Sequence, residues 1–401
     1  FDRQDPTLDE VTISTNNDNP AYAKEGSIIT LEFTAANTEN LFADPTVTIL
    51  GNDADAVSGS GASWSATYTT VSQDAAANPV PFTINFKDYA GNVGTEVDAI
   101  ISGTDVIYDK TAPNLDGGVT ITSDNTNDPA GTLAKPGDVI TLSVTADDDI
   151  QKPTITIAGN SGGSITVSPA NDGESFYTAT YEMQITDATA LTAADGTGGI
   201  AFTVDYADIA GNEGAQVTVI TDHDADGGVS FDKQKPSFTT ISIGALGNNV
   251  GPGDDDNHTR AKSGDEVTVT LISDEILKTG LQPTVTIAGN GAIVTRTGTV
   301  NNTNTFTATY TMSEDTDSAL DGTPLEINIS NYDDPAGNTG DAEDETNDGT
   351  EVIFDMTDPV LNTVTIASNN AFPHWAKEED IITVTIVSDE IRLLEIPPAH
   401  Q

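Results

Sequence analysis

Apolar residues fall on alternate positions in short runs along the whole chain. Ile29/Leu31/Phe33, Ile140/Leu142/Val144, Val267/Val269/Leu271 and Ile382/Val384/Ile386 each skip a single residue, and the skipped residue is often Thr. A period of two built from β-branched and aromatic residues marks an antiparallel strand with one face buried and the other in water. No stretch carries a helical period, so the pattern predicts an all-β chain.

These runs keep the same neighbours in the same order. Before each lies a short strand, Val11-Thr12-Ile13, Val119-Thr120-Ile121, Ile241-Ser242-Ile243 or Val364-Thr365-Ile366, and then a polar loop ending at Ala23-Lys24, Ala134-Lys135, Ala261-Lys262 or Ala376-Lys377. After the first three runs comes Pro-Thr-Val/Ile-Thr-Ile, at 45–49, 153–157 and 283–287, followed by an aromatic block: Trp64/Ala66/Tyr68, Tyr177/Ala179/Tyr181 and Phe306/Ala308/Tyr310. These aromatics read as core packing. A further strand, Phe82/Ile84/Phe86, Phe202/Val204/Tyr206 or Leu325/Ile327/Ile329, runs into Asp-x-Ala-Gly-Asn-x-Gly at 88–94, 208–214 and 334–340. The Gly and Asn supply the positive-φ positions of a tight turn. A last strand, such as Gln216 to Thr221, is expected to return after it. In the third copy Asn331-Tyr332-Asp333 intervene, which predicts a bulge or a slipped register.

Each copy opens on aromatic-Asp-x-x-x-Pro: Phe1-Asp2 with Pro6, Tyr108-Asp109 with Pro113, Phe231-Asp232 with Pro236 and Phe354-Asp355 with Pro359. The steps from Asp2 to Asp109, Asp232 and Asp355 are 107, 123 and 123 residues, the length of a small β-sandwich rather than of a solenoid unit. The expectation is tandem immunoglobulin-like β-sandwich domains, beads on a string, over 1–107, 108–230 and 231–353. The fourth copy, 354–401, keeps the first two strands only, and such a pair cannot bury a sandwich core by itself. From Arg392 onward it matches nothing in the other copies.

Composition narrows the function. With 36% hydrophobic residues the chain can bury several small cores, so it is not a disordered acidic tail. Its 64 acidic against 14 basic side chains leave a net charge of −50, which excludes nucleic acid and anionic lipid as partners. Self-repulsion on that scale calls for a compensating cation, and a divalent one suits an Asp-rich chain. There is no cysteine, hence no disulfide and no thiolate metal site. No apolar run approaches a membrane span and no signal peptide opens the sequence. Beginning inside its own repeat signature, the chain reads as a mature or excised piece of something longer.

The ordered set of Asp-x-x-x-Pro, Ala-Lys-x-Gly-Asp-x-Ile-Thr-Leu, Pro-Thr-Val-Thr-Ile, Tyr-Thr-Ala-Thr-Tyr and Asp-x-Ala-Gly-Asn-x-Gly resembles the tandem Ig-like repeats of very large bacterial surface proteins and adhesins, over Phe1 to about Ile391. The resemblance implies export, an extracellular or bacterial cell-surface location, and a role as stalk, spacer or filament. Modules of this kind imply no particular ligand.

In an Ig-like topology the last residues of one domain meet the start of the first strand, the loop after the second and the loop after the sixth of the next. At the second joint that gathers Asp222, Asp224, Asp226 and Asp232 with Asp274, Glu275 and Asp334, seven acids that cannot share a small volume uncompensated. Asp222-x-Asp224-x-Asp226-Gly227 is also the first half of a calcium loop. Its twelfth position is Lys233 instead of a bidentate Glu and no helix flanks it, which rejects an EF-hand but not calcium. The alternative is a solvated turn. The third joint offers Asp344, Asp348, Asp355 and Asp358 with Asp389 and Glu390, and the first Asp105 and Asp109 with Asp147, Asp148, Asp149 and Asp208. Asp254-Asp255-Asp256 reads as a solvated loop tip.

The function expected is therefore a calcium-stiffened stalk whose partners are neighbouring repeats of the same or a longer chain. Two alternatives stand beside it. One is a homopolymer joined by strand exchange through the fourth copy. The other is an adhesin module binding a surface glycan or protein through the loops 248–259 or 186–199. Catalysis is not expected: His223, His258, His374 and His400 are scattered, and no nucleophile elbow, His-Glu-x-x-His or phosphate loop occurs.

Overall fold

The computed structural model describes residues 2–36, 40–41, 45–115, 118–187, 199–220, 228–246, 258–298 and 304–389. The chain divides into two compact units, Phe1–Phe231 and Asp232–Gln401. Two hydrophobic cores lie in the first unit and another in the second, each built from one copy of the repeat and the signature aromatic that opens the next.

In the first copy a four-stranded antiparallel sheet runs in the order Leu8–Thr15, Ile28–Ala35, Ser63–Thr69, Ala56–Ser60. A second sheet joins Asn52–Asp53, Thr46–Ile49 and Phe82–Asn85. Register explains the alternation: Ile29, Leu31 and Phe33 stand opposite Tyr68, Ala66 and Trp64, and all six turn inward. Thr30 and Thr67 take the wetter face of the same pair. The second copy repeats the order with Val119–Ser123, Val139–Ile150, Glu174–Glu182 and Thr166–Ser168, and the third with Phe238–Leu246, Glu266–Ser273, Thr305–Thr311 and Ile293–Arg296. Two sheets sharing one core in this order make each copy an immunoglobulin-like sandwich.

Each sandwich closes where a short strand pairs in parallel with the Ala-Lys segment: Ile107–Tyr108 with Tyr22–Ala23, Ser230–Phe231 with Leu133–Ala134, and Glu351–Phe354 with His258–Ala261. The signature aromatics Tyr108, Phe231 and Phe354 are therefore buried in the core that precedes their Asp.

Three local expectations meet particular outcomes. The stretch Gln216 to Ile220 is not a continuous strand: within it Val217 alone bridges Val204, and Thr221 lies outside the described residues. The extra residue of the third copy brings no slipped register, since Thr284–Ile287 and Ile327–Ser330 pair residue for residue. Asn331 adds one residue at φ 57°, so that Tyr332 still reaches the core position held by Phe86 and Tyr206 in the other copies. A short helix, Glu314–Asp317, interrupts the all-β pattern; Ser313 caps it by accepting from Asp315 N.

In the fourth copy Leu361–Ser368 and Ile382–Ser388 form an antiparallel hairpin. Its alternate positions Ile382, Val384 and Ile386, expected to face inward, are exposed, since no further strand packs on them among the described residues.

Candidate cation site and the joints between repeats

The repeat signatures are hydrogen-bonding devices. In all four copies of aromatic-Asp-x-x-x-Pro the Asp carboxylate accepts from the backbone N–H two residues on: Asp2 from Gln4 at 2.9 Å, Asp109 from Thr111 at 2.9 Å, Asp232 from Gln234 at 3.0 Å and Asp355 from Thr357 at 3.1 Å. This Asx turn bends the linker as it leaves one core.

Asp-x-Ala-Gly-Asn-x-Gly builds the receiving end. Asp208 is buried, and its two carboxylate oxygens accept from Asn212 N and Asn212 Nδ2, both at 2.8 Å. Asp88 and Asn92 repeat the clasp at 2.8 and 2.7 Å, and Asp334 with Asn338 at 2.9 and 2.7 Å. The remaining amide proton reaches the linker: Asn212 donates to Asp109 O and Asn338 to Asp232 O, each at 3.1 Å. The final Gly has a steric cause, because a Cβ at Gly94, Gly214 or Gly340 would enter the ring of Phe86, Tyr206 or Tyr332.

At the third signature this scaffold brings acids together. Asp232 leaves the linker turn, Asp334 is fixed in the clasp with no exposed surface, and Glu275 follows the long strand Glu266–Ser273. Ligand oxygens of these three all lie within 4.8 Å of one another. Two oxygens on one Ca²⁺, each at about 2.3–2.6 Å, are separated by no more than about 5 Å, so the spacing suits a single ion. Burial first, then Asp232, Asp334 and Asp274, push the Glu275 carboxyl up to about 7. Burial likewise raises Asp232 against the backbone bond from Gln234, with Asp334 adding to the rise. Such shifts mark carboxylates withdrawn from water with other negative charge close by.

The other residues named from sequence sit differently. Asp222, Asp224 and Asp226 lie outside the described residues, as do Glu390, the Asp254–Asp256 run and most of the two long loops. Asp274 points to the strand start, where Ser237 N and Oγ donate to it at 2.8 and 2.7 Å. Asp348 accepts from Thr350 N and Oγ1 within its own turn, and Asp355 pairs with Arg260 at 3.2 Å.

Asp109 and Asp208 occupy in the second copy the places of Asp232 and Asp334, yet among the described residues only the third copy gathers three acids. The register shows why. Asp147 and Asp274 correspond, each taking the N–H of its strand start, so Asp148 stands where Glu275 does. Asp148 is one methylene shorter and accepts from Asp149 N at 2.7 Å. Direct bonds hold the first joint instead: Lys24 Nζ donates to Gly211 O at 2.6 Å and Asn17 Nδ2 to Ala210 O at 3.0 Å. Composition and spacing did not single out Asn17, Lys24, Asn212 or Asn338. The invariant Asn of the turn motif was the available signal.

No family model matches this chain, and no curated protein matches it. Among solved structures the chain is similar to the crystal structure of the I9–I11 tandem of titin, with 8% identity over 86% of this chain and 99% of that one, at a TM-score of 0.29. It is also similar to the crystal structure of Rst D1-D2, with 12% identity over 58% of this chain and 100% of that one, at a TM-score of 0.24. Strand order and register, rather than these likenesses, establish tandem immunoglobulin-like sandwiches.

Proposed function

We propose that this chain is a structural segment of a bacterial cell-surface protein, a stalk of Ig-like repeats stiffened by calcium at its linkers. The observation that carries the reading is the convergence of Asp232, Glu275 and Asp334, one from the linker, one from the loop after the second strand and one from the Asp-Asn clasp. A divalent cation held there by hard oxygen ligands ties the linker to two loops of the domain it enters. The net charge of −50 supports the same reading, since bound cations relieve repulsion throughout the chain. Surface location and a spacer role rest on the repeat motifs and their resemblance to adhesin stalks. Nucleic-acid binding and catalysis have no residues to support them in the sequence.

The test is calorimetric titration of the full chain with CaCl₂ after chelation, joined to thermal unfolding and small-angle scattering. Saturable binding, with a higher midpoint and a longer maximum dimension in calcium, is the expected result. An unchanged midpoint and dimension would remove the calcium and leave a plain spacer. The Asp232→Asn/Glu275→Gln variant should lose the tightest binding step while its fold persists.

A further inference from the structure

The turn that follows Ala-Lys is built alike in all four copies. Two residues after the Lys the backbone takes a positive φ, 84° at Gly26, 92° at Gly137, 90° at Gly264 and 77° at Glu379. The side chain of the next residue then accepts the backbone N–H of the Lys, at 3.0 Å in the first copy, 2.8 Å in the second, 3.0 Å in the third and 2.8 Å in the fourth. That acceptor is Asp138, Asp265 or Asp380 in three copies and Ser27 in the first.

The exchange of Asp for Ser changes what else the turn can hold. A carboxylate has two charged oxygens and can take an ammonium or an amide besides the backbone N–H, whereas a hydroxyl offers one neutral oxygen. Asp138 gives its other oxygen to Lys135 Nζ at 2.7 Å, and Asp380 takes Asn370 Nδ2 at 2.7 Å. Asn370 holds the place of Asn17, since each follows an Asn whose Oδ1 accepts from the start of the second strand, Ile381 N or Ile28 N. With Ser27 in the turn, the same two side chains go elsewhere. Lys24 Nζ donates to Gly211 O at 2.6 Å and Asn17 Nδ2 to Ala210 O at 3.0 Å, both in the Asp-Asn clasp of the second copy. The first two sandwiches accordingly fall in one compact unit.

We infer that the residue at position 27 selects the kind of joint: Ser27 leaves Lys24 and Asn17 to dock on the clasp of the following repeat, whereas Asp at this place draws such side chains back into their own turn. The first joint is then locked by protein alone. Linked domains move against one another by default unless their interface fixes them, and here two long-range hydrogen bonds do so. None of these residues belongs to the Asp232 cluster, so the lock stands apart from the calcium reading.

The chain has no cysteine, so Ser58→Cys and Thr166→Cys, at exposed places on the edge strands of the first and second sandwiches, would carry the only spin labels. The distance distribution between them is measured on the full chain in EDTA by double electron-electron resonance. Ser27→Asp should about double its width, Asn17→Ala/Lys24→Met should do the same, and adding Ser27→Asp to that pair should change nothing further. The variant keeps its turn, because Asp takes the same N–H in the three other copies. A width unchanged by Ser27→Asp would overturn the inference, as would a widening by Ser27→Asp that persists in full once Asn17 and Lys24 are replaced. So would a native distribution that is broad in EDTA and narrows with CaCl₂, since an ion would then hold this joint.

Discussion

The side-chain amide of Asn338 donates to the backbone carbonyl of Asp232 at 3.1 Å while it also holds the Asp334 carboxylate at 2.7 Å. One side chain thus fixes both the arriving linker and the buried acid beneath it, and Asn212 does the same for Asp109 and Asp208. The Asp-Asn clasp is why a turn motif, and not a strand, is the most regular element of the repeat. It sets the path of the linker through protein hydrogen bonds alone.

Replacing Asn338 with Ala removes both bonds and leaves one oxygen of the buried Asp334 without its amide donor. Stripping a partner from a buried polar group costs about 1–3 kcal/mol, more when the group is charged. The denaturant midpoint of the third repeat should fall accordingly, and exchange at the Gly337 and Asn338 amides should quicken. Asn338→Asp should do worse, because it sets a second carboxylate beside Asp334 and Asp232.

Gly214 to Ala places a methyl inside the Tyr206 ring, so the change overpacks the core edge rather than straining the backbone. Overpacking of this kind costs typically about 1–3 kcal/mol. A smaller side chain at Tyr206 should relieve it. In a double-mutant cycle, Gly214→Ala with Tyr206→Leu should be less damaging than the sum of the two single changes, measured by thermal midpoint.

Tyr181 donates to both oxygens of Asp187 at 3.0 and 2.9 Å, and Asp187 also takes Asn160 Nδ2 and Gln184 N. Tyr68 with Asp74 and Tyr310 with Asp317 repeat the arrangement. Burial, then the bond and charge of the Asp partner, push the Tyr68 and Tyr181 hydroxyls up to about 12. An acid whose folded pKa is raised stabilises the fold fully below its ordinary value of 10 and loses that contribution as pH rises through 12. Ultraviolet phenolate titration should therefore show tyrosines that ionise only as the sandwiches unfold. Tyr181→Phe should lower stability by about 1–2 kcal/mol near neutrality, where Asp187 loses a donor.

Much of this architecture is legible in the sequence because the repeat supplies its own alignment. Ile140/Leu142/Val144 and Tyr177/Ala179/Tyr181 alternate as a buried pair must, and the structure pairs them residue for residue. The extra residue at Asn331 is visible as an insertion and takes a positive φ of 57° just after the strand. What the letters hide is the role of polar side chains that act across long separations. Asn212 reaches Asp109, and Lys24 reaches Gly211, over spans that no local pattern encodes. The three buried Asp residues of the Tyr-Asp-Asn networks follow their tyrosines by six, six and seven residues, a spacing that gains meaning only once the hairpins are in register. Counting acids ranks the joint of Asp109 and Asp208 below that of Asp232 and Asp334 without giving the reason; the side-chain length of Glu275 against Asp148 supplies one.

Glu275 carries a pH dependence opposite in sign to that of an ordinary carboxylate. Burial first, and then its acidic neighbours, push it from 4.5 up to about 7, so its protonated form favours the folded state. That contribution is full below 4.5 and is lost as pH rises through 7. Asp147, held low by the Asn114 N–H, acts the other way, its contribution fading as pH falls, so the wild type alone shows a mixture. The difference between wild type and Glu275→Gln isolates the one group. In chelator at about pH 8 the variant should unfold at the higher temperature, and near pH 5 the two should converge. Calcium should reverse the order at about pH 8, because an ion needs the charged carboxylate that the amide replaces. Scanning calorimetry at both pH values, with chelator and with calcium, checks all four midpoints. A variant no more stable than wild type in chelator at the higher pH would mean that the three carboxylates do not strain one another, and the case for an ion between them would go with that strain.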